Sequence, residues 1–432
     1  MKKEKKQFRI YLGLMLCFMA IFWSCSKDDG IHQEVEVVED KQLNLFSSLS
    51  EVEENEEVTF KVYLEDAAIE AAIYIDDQPI TGSSYLFEKE GNYKVVAKKE
   101  GYLDSEELWI KVSTSLTDLY IVGNQYVDGK NRAVYWKNKK LHVLTDGTRH
   151  AFATDIFVNQ GNVYIAGYEM DSYNPNDNPT ALYWKNGVRY ELTDGSQYNI
   201  ASGIFVDGED VYVAGTSYDG VEVTTKYWKN GTEISLNTSG NYGGAVSITV
   251  EQGDVYVAGA TQKNDNGPET AKYWKNGVAV HLSDGKKSAN ARAMFLDAGS
   301  VYVAGHFDGK AVYWKDHILH YLDGGESSSY ANAVVIDNGI AHLVGQVSNG
   351  RHYVATYWKN GVKEFLPLGE GKQESRANDI VLHQDTTHII GYENDGKGSN
   401  YVAKYWKNNQ AFNLSSGEYS TYANALFVVE KQ

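Results

Sequence analysis

The chain has 432 residues, of which 42% are hydrophobic and 13% aromatic, with a formal charge of −18. That length admits two or three domains and a sizeable core. The acidic balance argues against nucleic acid as a partner, because it repels phosphate backbones, and it is the opposite of a polybasic membrane-binding surface. Only 5 Pro and 2 Cys accompany 40 Gly, 32 Tyr and 9 Trp, which suits many short strands joined by turns rather than a disulfide scaffold.

The first segment reads as an address. Lys2, Lys3, Lys5, Lys6 and Arg9 form a basic region, and Ile10–Trp23 form an apolar run of 14 residues. Such a run is too short to span a bilayer as a mature helix and fits the core of a signal peptide over residues 1–24. Those residues carry five basic and one acidic side chain, so their removal leaves about −22 (−18 − 4). Ser24-Cys25 resembles a lipobox, although Phe22 and Trp23 stand where the lipobox has Leu and small residues. Ser26-Lys27-Asp28-Asp29 resembles the Lys-acidic-acidic export signal that follows the cysteine in surface lipoproteins of Bacteroidetes. The resemblance implies that Cys25 is the lipid attachment site and that the chain is anchored to the outer membrane, exposed at the cell surface. Cys17 is then discarded with the leader, no disulfide is possible, and stability rests on apolar burial.

Residues 25–40 are polar and acidic without periodicity, and are read as a flexible tether. Residues 41–115 then show strand-like alternation at Val58–Leu64, Ala72–Ile75, Tyr85–Phe87, Tyr93–Ala97 and Leu108–Val112. Turns such as Asp76-Asp77-Gln78-Pro79 and Glu90-Gly91-Asn92 separate them, a pattern that predicts a small β-sandwich. Gly91-Asn92-Tyr93-Lys94-Val95 with Trp109-Ile110-Lys111-Val112 resembles the end of a bacterial Ig-like or PKD-like module, which implies a spacer.

Residues 116–432 are built from an internal repeat. Trp136, Trp184, Trp228, Trp274, Trp314, Trp358 and Trp406 each follow a Tyr and precede a Lys, at spacings of 48, 44, 46, 40, 44 and 48. A second marker ends in glycine at Gly123, Gly167, Gly215, Gly259, Gly305, Gly345 and Gly391. A third, Ala-x-x-apolar-x-apolar, starts at Ala153, Ala201, Ala245, Ala291, Ala331, Ala377 and Ala423. The unit reads as four antiparallel strands, for example Ala201–Val206, Val211–Gly215, Lys226–Lys229 and Glu233–Leu236. Its last two strands join at Asn230-Gly231, a dipeptide suited to a type I′ turn. Four strands in a period near 45 predict an all-β fold, a seven-bladed β-propeller. The Ala strand is placed innermost, where small residues suit a crowded axis. The repeat begins and ends one strand late, so the C-terminal strand is expected to complete the blade that begins at Leu119 and to remove an exposed edge. Seven equivalent Trp spread around a ring cannot converge on one ligand and are read as packing between blades. The repeats resemble extracellular propellers with Trp-x-Asn-Gly blades, the HAF-type repeats, over about residues 118–432; the resemblance implies the fold rather than an activity. Asn138-Lys139, Asp316-His317 and Asn408-Asn409 replace the usual Asn-Gly.

Function in such a ring resides in what differs between blades. Loops leading into the inner strands are expected to carry Phe152, Tyr198, Tyr242, Tyr330 and Tyr422. The inner strands are expected to bring Asp155, Arg292, Asn332, Asn378, Asp379 and Asn424 near the funnel mouth, with Arg376 just before them. A ring of Tyr, Asn, Asp and Arg suits binding of a glycan or of another envelope protein by stacking and hydrogen bonding. The competing reading is a polar face that merely contacts solvent. No catalytic residue, cofactor or metal site is expected: there is no Ser-His-Asp elbow, Walker loop or dinucleotide fingerprint, and the 11 His form no ligand pattern. The expectation is therefore a non-enzymatic envelope lipoprotein with a binding or scaffolding propeller. The alternative is a surface glycan-active hydrolase or lyase, with Asp155 and Asp379 as its acid–base pair.

Overall fold

The computed structural model describes residues 41–431 apart from 55, 175–176, 237–241, 264–266, 323–327 and 397–399. The signal peptide, Cys25 and the tether thus lie outside the described residues. Every regular element among the described residues is a strand. The chain divides into two compact units, the larger holding residues 111–432 and the smaller most of residues 59–110.

Residues 44–113 contribute two small sheets. In one, Asn44–Ser47, Ala67–Ala68 and Ser84–Phe87 all pair with Glu56–Leu64. In the other, Glu51–Glu53 pairs in parallel with Leu108–Ser113, and Gly91–Lys98, Ala72–Ile75 and Gln78–Pro79 follow in order. Alternate residues Phe60, Val62, Ile73, Ile75, Val95, Ala97 and Ile110 are buried. The turn at Asp76-Asp77 is tighter than the four residues anticipated: both have positive φ (45° and 64°), and Gln78–Pro79 already pairs back.

The larger unit consists of seven four-stranded antiparallel sheets. Six are continuous in sequence, with inner strands His150–Asn159, Tyr198–Asp207, Tyr242–Glu251, Ala289–Asp297, Ser329–Asp337 and Glu374–His383. In the seventh, Thr117–Val127, Lys130–Lys137 and Lys140–Val143 take the C-terminal strand Thr421–Glu430 as their innermost member, paired from Thr117↔Glu430 to Gln125↔Thr421. Each inner strand lies beside the next, and Thr421–Glu430 lies beside both Glu374–His383 and His150–Asn159. The sheets therefore close on themselves as a β-propeller.

Each residue of the Tyr-Trp-Lys-Asn-Gly signature has a local task. The Tyr stacks across its hairpin, as in Tyr135–His142 (4.6 Å), Tyr183–Tyr190 (5.0 Å) and Tyr313–His320 (4.7 Å). The Trp is fully buried in every sheet and packs against the preceding one. Trp136 packs the first sheet on the last, beside Ile390, Ala403 and Tyr405. The Lys ammonium lies about 5 Å over the ring of a second-strand Tyr, as in Lys137 over Tyr120 and Lys229 over Tyr212. The Asn adopts a left-handed turn, and its Oδ1 accepts the N–H of the second residue of the second strand: Val163 to Asn186, Val211 to Asn230 and Val255 to Asn276, each at 2.9 Å. Where Gly is replaced, Lys139, His317 and Asn409 take the same turn at φ of 68°, 71° and 65°. His317 therefore sits in the turn rather than in a strand with His320.

The second and third markers are two halves of one feature. In the six sheets continuous in sequence, the inner strand carries a β-bulge at the residue after the marker Ala, as in Ala153↔Gly167 followed by Asp155↔Ala166. In the seventh the register shifts likewise, between Val122↔Ala425 and Gly123↔Ala423. The marker glycine faces the bulge: a Cβ there would lie 1.8–2.2 Å from a carbonyl oxygen of the inner strand. The marker alanines are buried in the core between sheets, so it is that core, rather than the axis, that keeps them small.

The Trp indoles differ in one respect. Trp136 Nε1 donates to the Leu414 carbonyl at 3.0 Å, whereas the buried Trp228 Nε1 has no acceptor. Trp→Ala at either position should cost about 3–5 kcal/mol. Trp136→Phe should cost about 1 kcal/mol more than Trp228→Phe, since only the former loses a hydrogen bond. Denaturant melts of the two Phe variants check this; equal losses would refute it.

Candidate functional site

The bulge sets the channel lining. An extra residue in a strand is re-aimed, and here Thr154, Ser202, Val246, Arg292, Asn332, Asn378 and Asn424, one from each inner strand, all line the axial cavity or its mouth. Four of them tie neighbouring sheets together. Thr154 Oγ1 donates to the Ala201 carbonyl (3.0 Å), Asn332 Nδ2 to Ala377, Asn378 Nδ2 to Ala423 and Asn424 Nδ2 to Ala153 (each 2.8 Å). Asn332, Asn378 and Asn424 are thus ring ties as well as channel-lining groups. The belt is incomplete: Ser202 makes no such bond, Val246 has no donor, and Arg292 instead donates to Asn332 Oδ1 at 3.0 Å.

Asp155 and Asp379 sit one residue deeper. Asp155 accepts from Ile156 N–H and from Ile204 N–H of the next sheet, both at 2.8 Å. Asp379 accepts from Ile380 N–H (2.8 Å) and from Leu426 N–H of the next sheet (2.9 Å). Both oxygens of each carboxylate are therefore engaged in clipping adjacent inner strands. Both residues also line the channel. Burial pushes Asp155 up to about 6 and Asp379 up to about 7, the backbone N–H groups opposing this and the Asp155 charge adding to it at Asp379. The cavity, about 530 Å³, has apolar lining residues that include Phe295, Val335 and Val381. Phe157 packs at a tilt against Phe205 and Phe427, at 4.6 and 4.9 Å.

The mouth brings together Arg292, Asn332, Arg376, Asn378, Tyr422 and Asn424. Tyr198 is not among its lining residues and the Tyr242 side chain lies outside the described residues. Phe152, Tyr198, Tyr330 and Tyr422 stand within the first residues of the inner strands, not in loops, because those strands run past the bulge toward the mouth. Sequence reasoning missed Asn124, Asn290, Gln346 and Tyr392, which line the same mouth from the second strands and the upper end of an inner strand. For Asn124, Gln346 and Tyr392 the signal was the second marker, since each stands just after its glycine, whereas Asn290 stands just before the third marker's Ala291.

Two guanidinium groups dominate the mouth. Arg292 lies over the Tyr330 ring (5.4 Å), and burial works against its charge. Arg376 lies between the rings of Tyr353 (5.6 Å) and Tyr392 (6.0 Å), with Glu374 at 3.4 Å. Its buried Nε has no acceptor. Tyr392, Tyr401 and Tyr422 form a cluster with centroids 5.0–5.3 Å apart. His306 packs on Tyr330 at 5.0 Å, and burial with the Arg292 charge lowers it to about 4, so it is neutral near pH 7. Among the described residues, no group of three or more His, Cys, Asp or Glu is placed to hold a metal ion.

No protein-family model and no curated protein matches the chain. Among solved structures it is similar to a quinoprotein alcohol dehydrogenase-like protein from Bacteroides thetaiotaomicron, at 13% identity over 91% of this chain and 98% of that one, with a TM-score of 0.39. It is also similar to the propeller domain of the trilobed protease from Pyrococcus furiosus (8% identity, 76% and 94% coverage, TM-score 0.41). A third is TolB from Acinetobacter baumannii (10% identity, 70% and 79% coverage, TM-score 0.38).

The two clipped carboxyls give a pH test. Their proton affinity is higher in the folded chain than the ordinary Asp value of 3.8. The folded state thus binds more protons between about pH 4 and 7, and their contribution to stability falls as pH rises through that window. Melting temperature should drop across it in the native chain, and the drop should be smaller in Asp155→Asn/Asp379→Asn. Parallel slopes in the two proteins would contradict this.

Proposed function

We propose that the chain is a lipid-anchored outer-membrane protein, displayed at the cell surface, whose propeller binds a glycan at the mouth of its axial channel without altering it chemically. In this reading Cys25 carries the lipid, residues 41–115 are an Ig-like spacer, and the seven sheets are blades of the HAF type. The observation that supports binding is the mouth itself, where guanidinium groups, amides and tyrosines converge on one cavity of about 680 Å³, a size that suits a small ligand or a short oligosaccharide. The hydrolase alternative would need Asp155 and Asp379 to exchange protons with a substrate, yet both carboxylates already hold two backbone N–H groups each.

Two experiments test the reading. A glycan array probed with the full mature chain should give selective binding that Tyr422→Ala weakens roughly tenfold or more. A blank array, or binding indifferent to the mouth, refutes the glycan site. Cys25→Ser should abolish fatty-acid labelling and move the protein out of the membrane fraction; persistent labelling refutes the anchor.

A further inference from the structure

The ring is repetitive, so its ligand must be recognised where the repetition fails. The position after the marker Ala is the place to look. In four sheets its side chain closes the carbonyl of the next marker Ala. In three consecutive sheets, at Ser202, Val246 and Arg292, it does not. Among the described residues, the carbonyls of Ala245, Ala291 and Ala331 consequently receive no side-chain donor, unlike those of Ala201, Ala377, Ala423 and Ala153. The same sector holds Arg292, which forms no ion pair among the described residues and whose one hydrogen bond is to the neutral Asn332 amide. Arg376 projects into the same mouth with an Nε that has no acceptor.

This arrangement asks for one kind of group. The Glu269 charge acts on Arg292 without pairing with it. A guanidinium without a paired carboxylate is electrostatically incomplete, and a planar anion with two oxygens matches its donors. Tyr330 beneath Arg292, and Tyr353 and Tyr392 around Arg376, hold the cations in place before any ligand arrives. Glu374 partly neutralises Arg376, so Arg292 is the stronger anchor.

We infer that the mouth takes an acidic sugar, a uronate unit of a glycan, with its carboxylate on Arg292 and Arg376 and its hydroxyls among the side-chain amides and tyrosines that line the mouth beside them. This rests on the reading of the mouth as a glycan site.

The test titrates the full mature chain with oligomers of galacturonate, glucuronate and mannuronate, with their carboxyl-reduced neutral counterparts, and with oligoglutamate. At least one uronate oligomer should bind, its reduced counterpart at least tenfold more weakly, and added salt should weaken the interaction. Arg292→Gln should reduce affinity roughly 10- to 100-fold, and Arg376→Gln less. Neutral oligomers binding as well as acidic ones, or Arg292→Gln binding unchanged, would overturn the acidic-sugar inference while leaving the mouth a glycan site. Oligoglutamate matching the best uronate would overturn the sugar half. Binding to no uronate while the array shows a Tyr422-dependent neutral glycan refutes this inference alone, whereas binding to no glycan at all refutes the site.

Discussion

The β-bulge after the marker alanine is the constraint from which the rest of the ring follows. Once one extra residue is placed in every inner strand, the second strand must present a glycine opposite it, because a Cβ would sit about 2 Å from a carbonyl oxygen. The alanine before the bulge is driven into the packed layer between sheets beside the Trp of its own sheet. The extra residue itself lines the channel, and its alanine's carbonyl is left for the neighbouring sheet to satisfy. A strictly regular ladder would offer neither the inter-sheet tie nor the channel-lining group, so the same distortion both stitches the ring and furnishes its axis.

This separates the two burdens of the chain. The Trp layers recur in every sheet, and the outer hairpins with their Asn caps and Lys-over-Tyr contacts in most of them, and they hold the ring by burial and local hydrogen bonds. The bulge position varies from Thr to Ser, Val, Arg and Asn without disturbing those layers. Asp155 and Asp379 show how far such variation can go while remaining structural. A carboxylate one residue deeper finds two backbone donors and becomes a clip, and its raised proton affinity records the cost of burying it without a cation.

Much of this was legible before any coordinates. Three markers recurring seven times in fixed order fixed the strand count and spacing, and Asn230-Gly231 located its turn directly. The short strands Asn44–Ser47 and Glu51–Glu53, at the edges of the two N-terminal sheets, were too brief for alternation to be read. The site was only half legible. Candidate residues could be taken from the inner strands because the Ala marker aligned them, which recovered Arg292, Asn332, Asn378 and Asn424. Residues such as Asn290, Gln346 and Tyr392 reach the mouth because strands run beyond the bulge, and strand length is set by pairing across the sheet rather than by local pattern. The roles of Asp155 and Asp379 were illegible for a similar reason. A carboxylate in a sequence cannot reveal that the donors it meets belong to a neighbouring sheet some 47–49 residues away.

The interrupted belt has a structural cost that the surrounding chain absorbs. Each missing side-chain tie forgoes about 1 kcal/mol of net hydrogen bonding. The gap begins where the second and third inner strands pack closely. A Cβ at Gly203 would lie 3.2–3.3 Å from the Val246 carbonyl, the Ser247 Cα and the Ile248 nitrogen, so backbone packs on backbone there without a side-chain bridge. Next to it, Arg292 buys its position from Tyr330 and Asn332 rather than from a carbonyl or a carboxylate. Close packing thus replaces the tie on one side and ring stacking replaces it on the other. A ring that needed all seven ties to stay closed could not tolerate three consecutive departures. One that is held by its Trp layers can, and the departures then fall on the residues that face the channel mouth.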